Sequence, residues 1–212
     1  MKVIDLTHTI KENMPVYPGT EPPSLVQANT IEKDLFKETK LSMYSHTGTH
    51  IDPPAHIIEG AMTLDEFPAS QFTGKALVID CSDMPDGSFV GMDRLERYGS
   101  RVDEAEFLLF RFGYDDKWGT EAYYGNFPCI DYEVLDHIIK GNYKGIGFDV
   151  ISLDPIDKLD RHIKLLSQKN IINIENLANL GLCGGELFDF VCLPLKWENA
   201  DGAPARAIAM IE

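Results

Sequence analysis

The sequence predicts an α/β fold of mixed sheets with few helices, and three observations carry that expectation. The chain has 212 residues, 44% hydrophobic and 10% aromatic, enough for one buried core and too few for two comfortable ones. A series of short β-branched and aromatic segments is bounded by Gly, Pro or Asp, which is the pattern of strands. Helical spacing is scarce, and no repeat, low-complexity tract or charged linker divides the chain. Residues 1–212 therefore read as a single domain, layered from mixed sheets and not regularly wound.

In chain order the strand segments are residues 3–10, 41–46, 76–81, 107–112, 145–150, 171–174, 190–197 and 205–211. Residues 15–32 carry Pro15, Pro18, Pro22 and Pro23 with little periodicity. They predict a long extended loop on the surface, of the kind that often borders a site. Residues 131–140 place Val134, Leu135, Ile138 and Ile139 on one helical face, with Gly141 as the stop. Residues 158–168 repeat the spacing less cleanly with Leu159, Ile163 and Leu166, and a last helical turn is expected at residues 176–180 before Gly181.

Nineteen Lys and Arg against 34 Asp and Glu give a formal charge of -15. Such a surface repels phosphate backbones and anionic lipid, which argues against nucleic-acid and membrane partners; plain solubility accounts for the charge. No apolar run approaches the ~18 residues of a membrane span, and the opening Met1-Lys2-Val3-Ile4-Asp5 lacks the apolar core of a signal peptide. Cys81, Cys129, Cys183 and Cys192 form no CxxC pair. They read as reduced core residues of a cytoplasmic protein.

The chemistry concentrates in His46-Thr47-Gly48-Thr49-His50-Ile51-Asp52-Pro53-Pro54-Ala55-His56, which holds three of the six histidines. In an extended strand His50 and Asp52 share a face with Cα atoms roughly 6–7 Å apart, a spacing that suits two ligands on one ion. His46 falls on the same face, although four extended residues span roughly 13 Å, near the limit for two imidazoles on one metal. Gly48 allows a bend between them. Pro53 keeps Asp52 extended and, with Pro54, stiffens the approach to His56. An alternative reading makes Asp52 a helix N-cap, with proline at the first helical position. A His and carboxylate set without cysteine points to zinc, manganese or iron, and three protein ligands would leave a position open for water. Local sequence reads Glu175 as a strand-end carboxylate and His162 as a helix-surface residue. His137 reads as an ordinary helix residue, and the role of His8 stays open.

The segment also resembles the signature of the cyclase-like metal-dependent hydrolase family, whose members include bacterial kynurenine formamidase and isatin hydrolase. The pattern His-x-Gly-Thr-His-x-Asp-x-Pro-x-His stands complete as His46, Gly48, Thr49, His50, Asp52, Pro54 and His56. The likeness extends through Pro15-Val16-Tyr17-Pro18-Gly19, Trp118-Gly119-Thr120, the stretch from Gly147 to Pro155, Leu193-Pro194-Leu195-Lys196 and the stretch from Ala200 to Ala207. The resemblance implies a swivelling β/β/α fold, assembled as a homodimer or homotetramer. It further implies one or two zinc ions, with manganese as the other candidate, held by His46, His50, Asp52, His162 and Glu175. Asp52 would bridge two ions, and His56 would be the general base and acid.

The expected activity is hydrolysis of a small amide: arylformamidase activity on N-formylkynurenine first, isatin-type lactam hydrolysis second. A non-catalytic metal- or ligand-binding protein and an iron oxygenase are the readings from other classes. Tyr17, Phe36, Trp118, Tyr123 and Tyr124 are candidates either for an aromatic pocket or for the core.

Overall fold

In the central strands apolar side chains alternate between two faces, and both faces are covered. The computed structural model describes residues 1–212. Its strands are β1 (Lys2–Asp5), β2 (Ser24–Asn29), β3 (Glu38–Ser42), β4 (His50–Asp52), β5 (Thr73–Asp80), β6 (Phe89–Val90), β7 (Phe107–Arg111), β8 (Cys129–Ile130), β9 (Gly145–Phe148), β10 (Ile172–Glu175), β11 (Phe188–Pro194) and β12 (Ala203–Ile211). The helices are α1 (Ile31–Asp34), α2 (Met92–Glu96), α3 (Arg101–Glu104), α4 (Tyr132–Lys140) and α5 (Asp160–Gln168).

One eight-stranded sheet runs β1-β12-β11-β5-β7-β9-β10-β4, and β12 also pairs with β4. The start of β12 bonds β4 through Ala203 and Pro204, while Ala205–Met210 bond β11, so the sheet closes into a barrel-like core. Pairing is parallel from β5 through β7 and β9 to β10. It is antiparallel at β11 with β5, β11 with β12, and β10 with β4. This is the mixed α/β sheet that the sequence predicts.

Closure gives the sheet an inside. Ala76, Val78, Phe107, Leu109, Ile172, Ile174 and Ile51 share the interior cluster with Phe188, Phe190 and the alanines of β12. Their neighbours Leu77, Ile79, Leu108, Phe110, Ile146 and Phe148 point the other way and pack against Val134, Leu135 and Ile138 of α4 and Leu165 and Leu166 of α5. Burying both faces removes apolar area from water at about 25 cal/mol per Å², which is why these strands read as near-continuous apolar runs. α4 follows its sequence signals: Asp131 accepts from the Val134 N–H, and Gly141 closes the helix by donating to His137 O. The four cysteines are buried and unpaired, as expected. No helix is long and apolar enough to cross a membrane.

Four expectations need correction. The 15–32 segment is not all loop: it contains β2, which pairs with β3 across α1 in a hairpin. The 41–46 strand is instead β3, ending at Ser42, so His46 lies on a bend and not in an extended run. The 176–180 turn fails because Asn176 and Asn179 take positive φ, 56° and 57°, a conformation that asparagine tolerates and that breaks a helix. The short 3-10 turn starts later, at Leu180–Leu182. Helix α5 exists, but it buries Arg161, His162, Leu165 and Leu166 while Leu159, just before it, and Ile163 stand about half exposed. A buried carboxylate, Asp154, receives Arg161 and His162 and rotates the buried face away from Leu159 and Ile163, while Leu166 stays buried as expected.

Candidate metal centre

The antiparallel ladder of β4 and β10 sets His50 opposite Glu175 and Asp52 opposite Asn173. Alternation sends Ile51 and Ile174 into the barrel, so these four polar side chains project from its outer face. Directly opposed residues bring Cβ atoms to roughly 4.5–5.5 Å, close enough for side chains on two strands to share one point. All four are buried.

Before β4 the chain bends sharply at Gly48, whose φ is 65°. A Cβ there would lie 2.9 Å from Met14 Cε, the mobile end of a side chain that could give way, so it is the left-handed backbone that favours glycine. His50 Nδ1 donates to Gly48 O at 2.8 Å. That bond leaves Nε2 facing Asp52 Oδ1 at 3.2 Å and Glu175 Oε2 at 3.6 Å. His46 folds back over the strand with Nδ1 2.7 Å from Asp52 Oδ1. Its Nε2 is buried without a hydrogen bond, although Asp201 Oδ2 lies 3.4 Å away. Gly202 makes room for this ring, since a Cβ there would stand 2.3 Å from its Cε1.

His56 ends a 3-10 turn, Pro54–His56, that is capped by Pro53 and not by Asp52. The N-cap reading of Asp52 therefore gives way, and its carboxylate turns into the histidine cluster. The His56 ring lies against His46, centroids 3.9 Å apart.

His162 arrives from α5. Its Nδ1 faces Asp154 Oδ2 at 3.0 Å and its Nε2 faces Glu175 Oε1 at 3.0 Å and Asp52 Oδ2 at 3.7 Å. The local reading of His162 and Glu175 as surface residues is thus overturned: they are 3% and 5% exposed. Asn173 donates from Nδ2 to Asp52 Oδ2 and Glu175 Oε1, both at 2.9 Å, and holds the two carboxylates apart.

The charges respond to one another. Burial favours neutral imidazole at His50, but Asp52 and Glu175 outweigh it and push the pKa up to about 9. His162 likewise rises well above its ordinary value, burial being overcome by Asp154, Asp52 and Glu175. Burial would raise Asp52, yet His50, His162 and His46 hold it well below the usual carboxylate range. His56 is lowered, chiefly by burial. A dense buried set of imidazoles and carboxylates that share protons in this way is also the donor set of a divalent ion, which would take the protons' place.

The fit to an ion is geometric. One ligand atom each from His50, Asp52 and Glu175 lies within 4.8 Å of the others, and the same holds for His46, Asp52 and His56. Asp52 is common to both groups. The Nδ1 bonds of His50 to a carbonyl and of His162 to a carboxylate leave each Nε2 turned inward, as second-shell partners orient metal-binding imidazoles. A cavity of about 570 Å³ opens on the cluster, reached by His46, His50, His56, His162 and Glu175.

Among the aromatic candidates only Tyr17 lines this cavity, joined by Tyr44. Phe36 is exposed on the hairpin, and Tyr123 is fully buried with its hydroxyl on Asn176. Trp118 stacks on His8 at 3.8 Å, and the Tyr124 hydroxyl accepts from the Val16 N–H. His8 stands outside the cluster, lowered to about 4 by burial. His137 bonds the Tyr143 hydroxyl as an ordinary helix residue. Sequence reading missed Asn173, hidden inside an isoleucine run, and Asp154 and Asp201, which no spacing links to the site. For Asn173 a period-2 polar alternation with Glu175 was the available signal.

A model of the cyclase family matches residues 4–155. The chain belongs to the cyclase family. An uncharacterized protein of Methanocaldococcus jannaschii is 35% identical over the full length of both chains. A kynurenine formamidase of Bacillus cereus is 29% identical, covering 97% of this chain and 95% of its own. A solved structure from Bacillus stearothermophilus described as a predicted metal-dependent hydrolase matches with TM-score 0.80 and 26% identity, covering 98% and 97% of the two chains. Isatin hydrolase A from Labrenzia aggregata shares the fold with TM-score 0.88 at 24% identity, covering 99% of this chain and 93% of its own. The expected family and α/β fold are therefore confirmed, and this cyclase-family chain has hydrolases as relatives across nearly its whole length.

Proposed function

We propose that this chain is a metal-dependent amidohydrolase of a small aryl amide, with N-formylkynurenine the first substrate to test. One observation carries the reading: two ligand groups share Asp52, and their other members, His46, His50, His56 and Glu175, line one cavity. His50, Asp52 and Glu175 would hold one ion with His162 beside them, and His46 with Asp52 the other position. A bound zinc or manganese supplies Lewis acidity that lowers the pKa of water and polarises a carbonyl. Asn173 keeps the two carboxylates in place, and Asp154 fixes the His162 ring. His56 accepts a proton from attacking water and returns it to the departing nitrogen, a task suited to an imidazole held neutral by burial. Water adds to the amide carbon, the C–N bond breaks, and carboxylate and amine leave.

The isatin-type lactam reading ranks second, supported by the shared fold and the apolar walls of the cavity. A purely structural metal would not need an open cavity beside it. A homodimer or homotetramer belongs to the same proposal, supported by the exposed Ile31, Leu35 and Phe36 of the hairpin.

Elemental analysis together with N-formylkynurenine hydrolysis, before and after chelation, tests the reading. We expect one to two ions per chain and an activity that chelation abolishes and zinc or manganese restores. Metal without formamidase activity would redirect the reading to lactams. Failure to bind metal even after reconstitution would overturn it.

A further inference from the structure

Asp52 and Glu175 each turn one oxygen toward each of two imidazoles. Asp52 Oδ1 and Glu175 Oε2 face His50 Nε2, at 3.2 and 3.6 Å. Asp52 Oδ2 and Glu175 Oε1 face His162 Nε2, at 3.7 and 3.0 Å. The carboxylate pair thus frames two positions, one beside each imidazole, and each has the nitrogen and oxygen donors that a divalent ion takes. The second position already holds a donor. Asn173 Nδ2 stands 2.9 Å from Asp52 Oδ2 and from Glu175 Oε1, and 3.3 Å from His162 Nε2.

Asn173 is a costly residue at this place. It interrupts the apolar run Ile171-Ile172-Asn173-Ile174, is fully buried, and leaves its Oδ1 without a hydrogen-bond partner. An apolar side chain would avoid that desolvation cost, so the reason for an amide lies at its other end. Nitrogen is the atom turned inward, because an amide oxygen there would face two carboxylate oxygens. The two N–H hydrogens engage Asp52 Oδ2 and Glu175 Oε1 from the side an ion would occupy. Zinc bonds oxygen and nitrogen at about 2.0–2.2 Å, and an ion that close to both oxygens and to His162 Nε2 would collide with the amide. Ile172 and Ile174, packed in the barrel interior, hold the strand on either side of it.

Resting on the metal-centre reading of this site, we propose that the Asn173 amide takes the place of a second divalent ion between Asp52, Glu175 and His162, so that the Asp52–Glu175 pair carries one ion and not two. The amide brings no charge, but it satisfies the two oxygens and cannot dissociate. Asn173 is then a positioning residue that sets the number of ions. The group of His46, Asp52 and His56 stays outside this effect, since His46 faces Asp52 Oδ1 whereas Asn173 donates to Oδ2.

Equilibrium dialysis against zinc, with ions counted by elemental analysis, compares the native chain with Asn173→Ala and with the isosteric Asn173→Asp. We expect each variant to hold one more ion per chain than the native protein. Ions on the acidic surface enter all three counts alike. The isosteric variant keeps the shape of the side chain, so the result does not depend on the alanine variant folding. Melting curves give a second readout. Asn173→Asp should melt below the native protein without metal, where three carboxylates meet, and should gain more from saturating zinc. A merely structural asparagine would lower both curves and add no ion. A count equal to the native one in both variants would overturn the proposal, and a lower count would make the amide a ligand and overturn it as well. No zinc in any of the three chains would sink the metal-centre reading instead.

Discussion

His162 Nδ1 lies 3.0 Å from Asp154 Oδ2, and this contact fixes which ring nitrogen reaches the site. Asp154 also accepts from the backbone N–H groups of Arg161 and His162 and from the Arg161 guanidinium. Burial works to raise its pKa, but the His162 ring and the backbone N–H groups of His162 and Arg161 hold it below the ordinary value. The carboxylate thus stays charged where it orients the ring.

Asp154→Asn should therefore weaken zinc binding by about 10–100-fold, the usual effect of losing an outer partner of a metal-binding imidazole. Competition with a chromogenic chelator measures it. The variant also leaves Arg161 buried without its counter-ion and should lower the melting temperature of the metal-free protein. Unchanged zinc affinity would show that His162 does not ligate.

Gly202→Ala places a methyl within 2.3–2.8 Å of three His46 ring atoms. The ring must move and the barrel need not, because the contact is with a side chain that is partly solvent-exposed. Activity should fall on the order of 10²-fold, as for an ångström-scale misplacement at a reacting centre. Circular dichroism should stay native. Full activity would mean that His46 is free to move without consequence.

His56→Ala should lose roughly 10²–10⁴ in rate, the scale of a removed general base, while elemental analysis still finds metal. Loss of metal together with activity would assign His56 as a ligand beside His46 and Asp52, the group to which its geometry also fits.

His8 gives a stability signal independent of the metal. Burial lowers its pKa from 6.5 to about 4, and the ring stacks on Trp118. Because the folded state binds the proton more weakly than the unfolded chain, His8 costs no stability above pH 6.5. Stability then falls as pH drops through the window from 6.5 toward 4. Urea unfolding of metal-free protein should show a shallower loss across that window in His8→Phe, which keeps the stacking and removes the titration. An identical slope would place the acid sensitivity elsewhere.

The ladder that builds the site shows how far sequence reading reaches. His50 and Asp52 could be placed on one face because strand alternation is local: two residues apart in an extended chain share a side whatever lies around them. The central strands and α4 were legible for the same reason, since apolar periodicity and the Asp131 and Gly141 caps act within a few residues. His46 was assigned to that face by the wrong route. It does not extend along the strand but folds back at Gly48, and its position depends on Gly202, about 150 residues away.

Resemblance to the family pointed to His162 and Glu175 where local sequence preferred the surface, and only the tertiary fold supplies the cause. Helix α5 turns Arg161 and His162 inward beside Leu165 and Leu166 because Asp154 is there to receive them, and β10 brings Glu175 opposite His50 because the sheet closes through β4 and β12. The sequence by itself determined the central strands, helix α4, the fold class and the residue types of the site, all products of short-range periodicity and steric preference. Which side chains converge, which carboxylate stays charged and what the cavity admits were decided by long-range pairing and burial, where energies depend on distances that no spacing along the chain encodes.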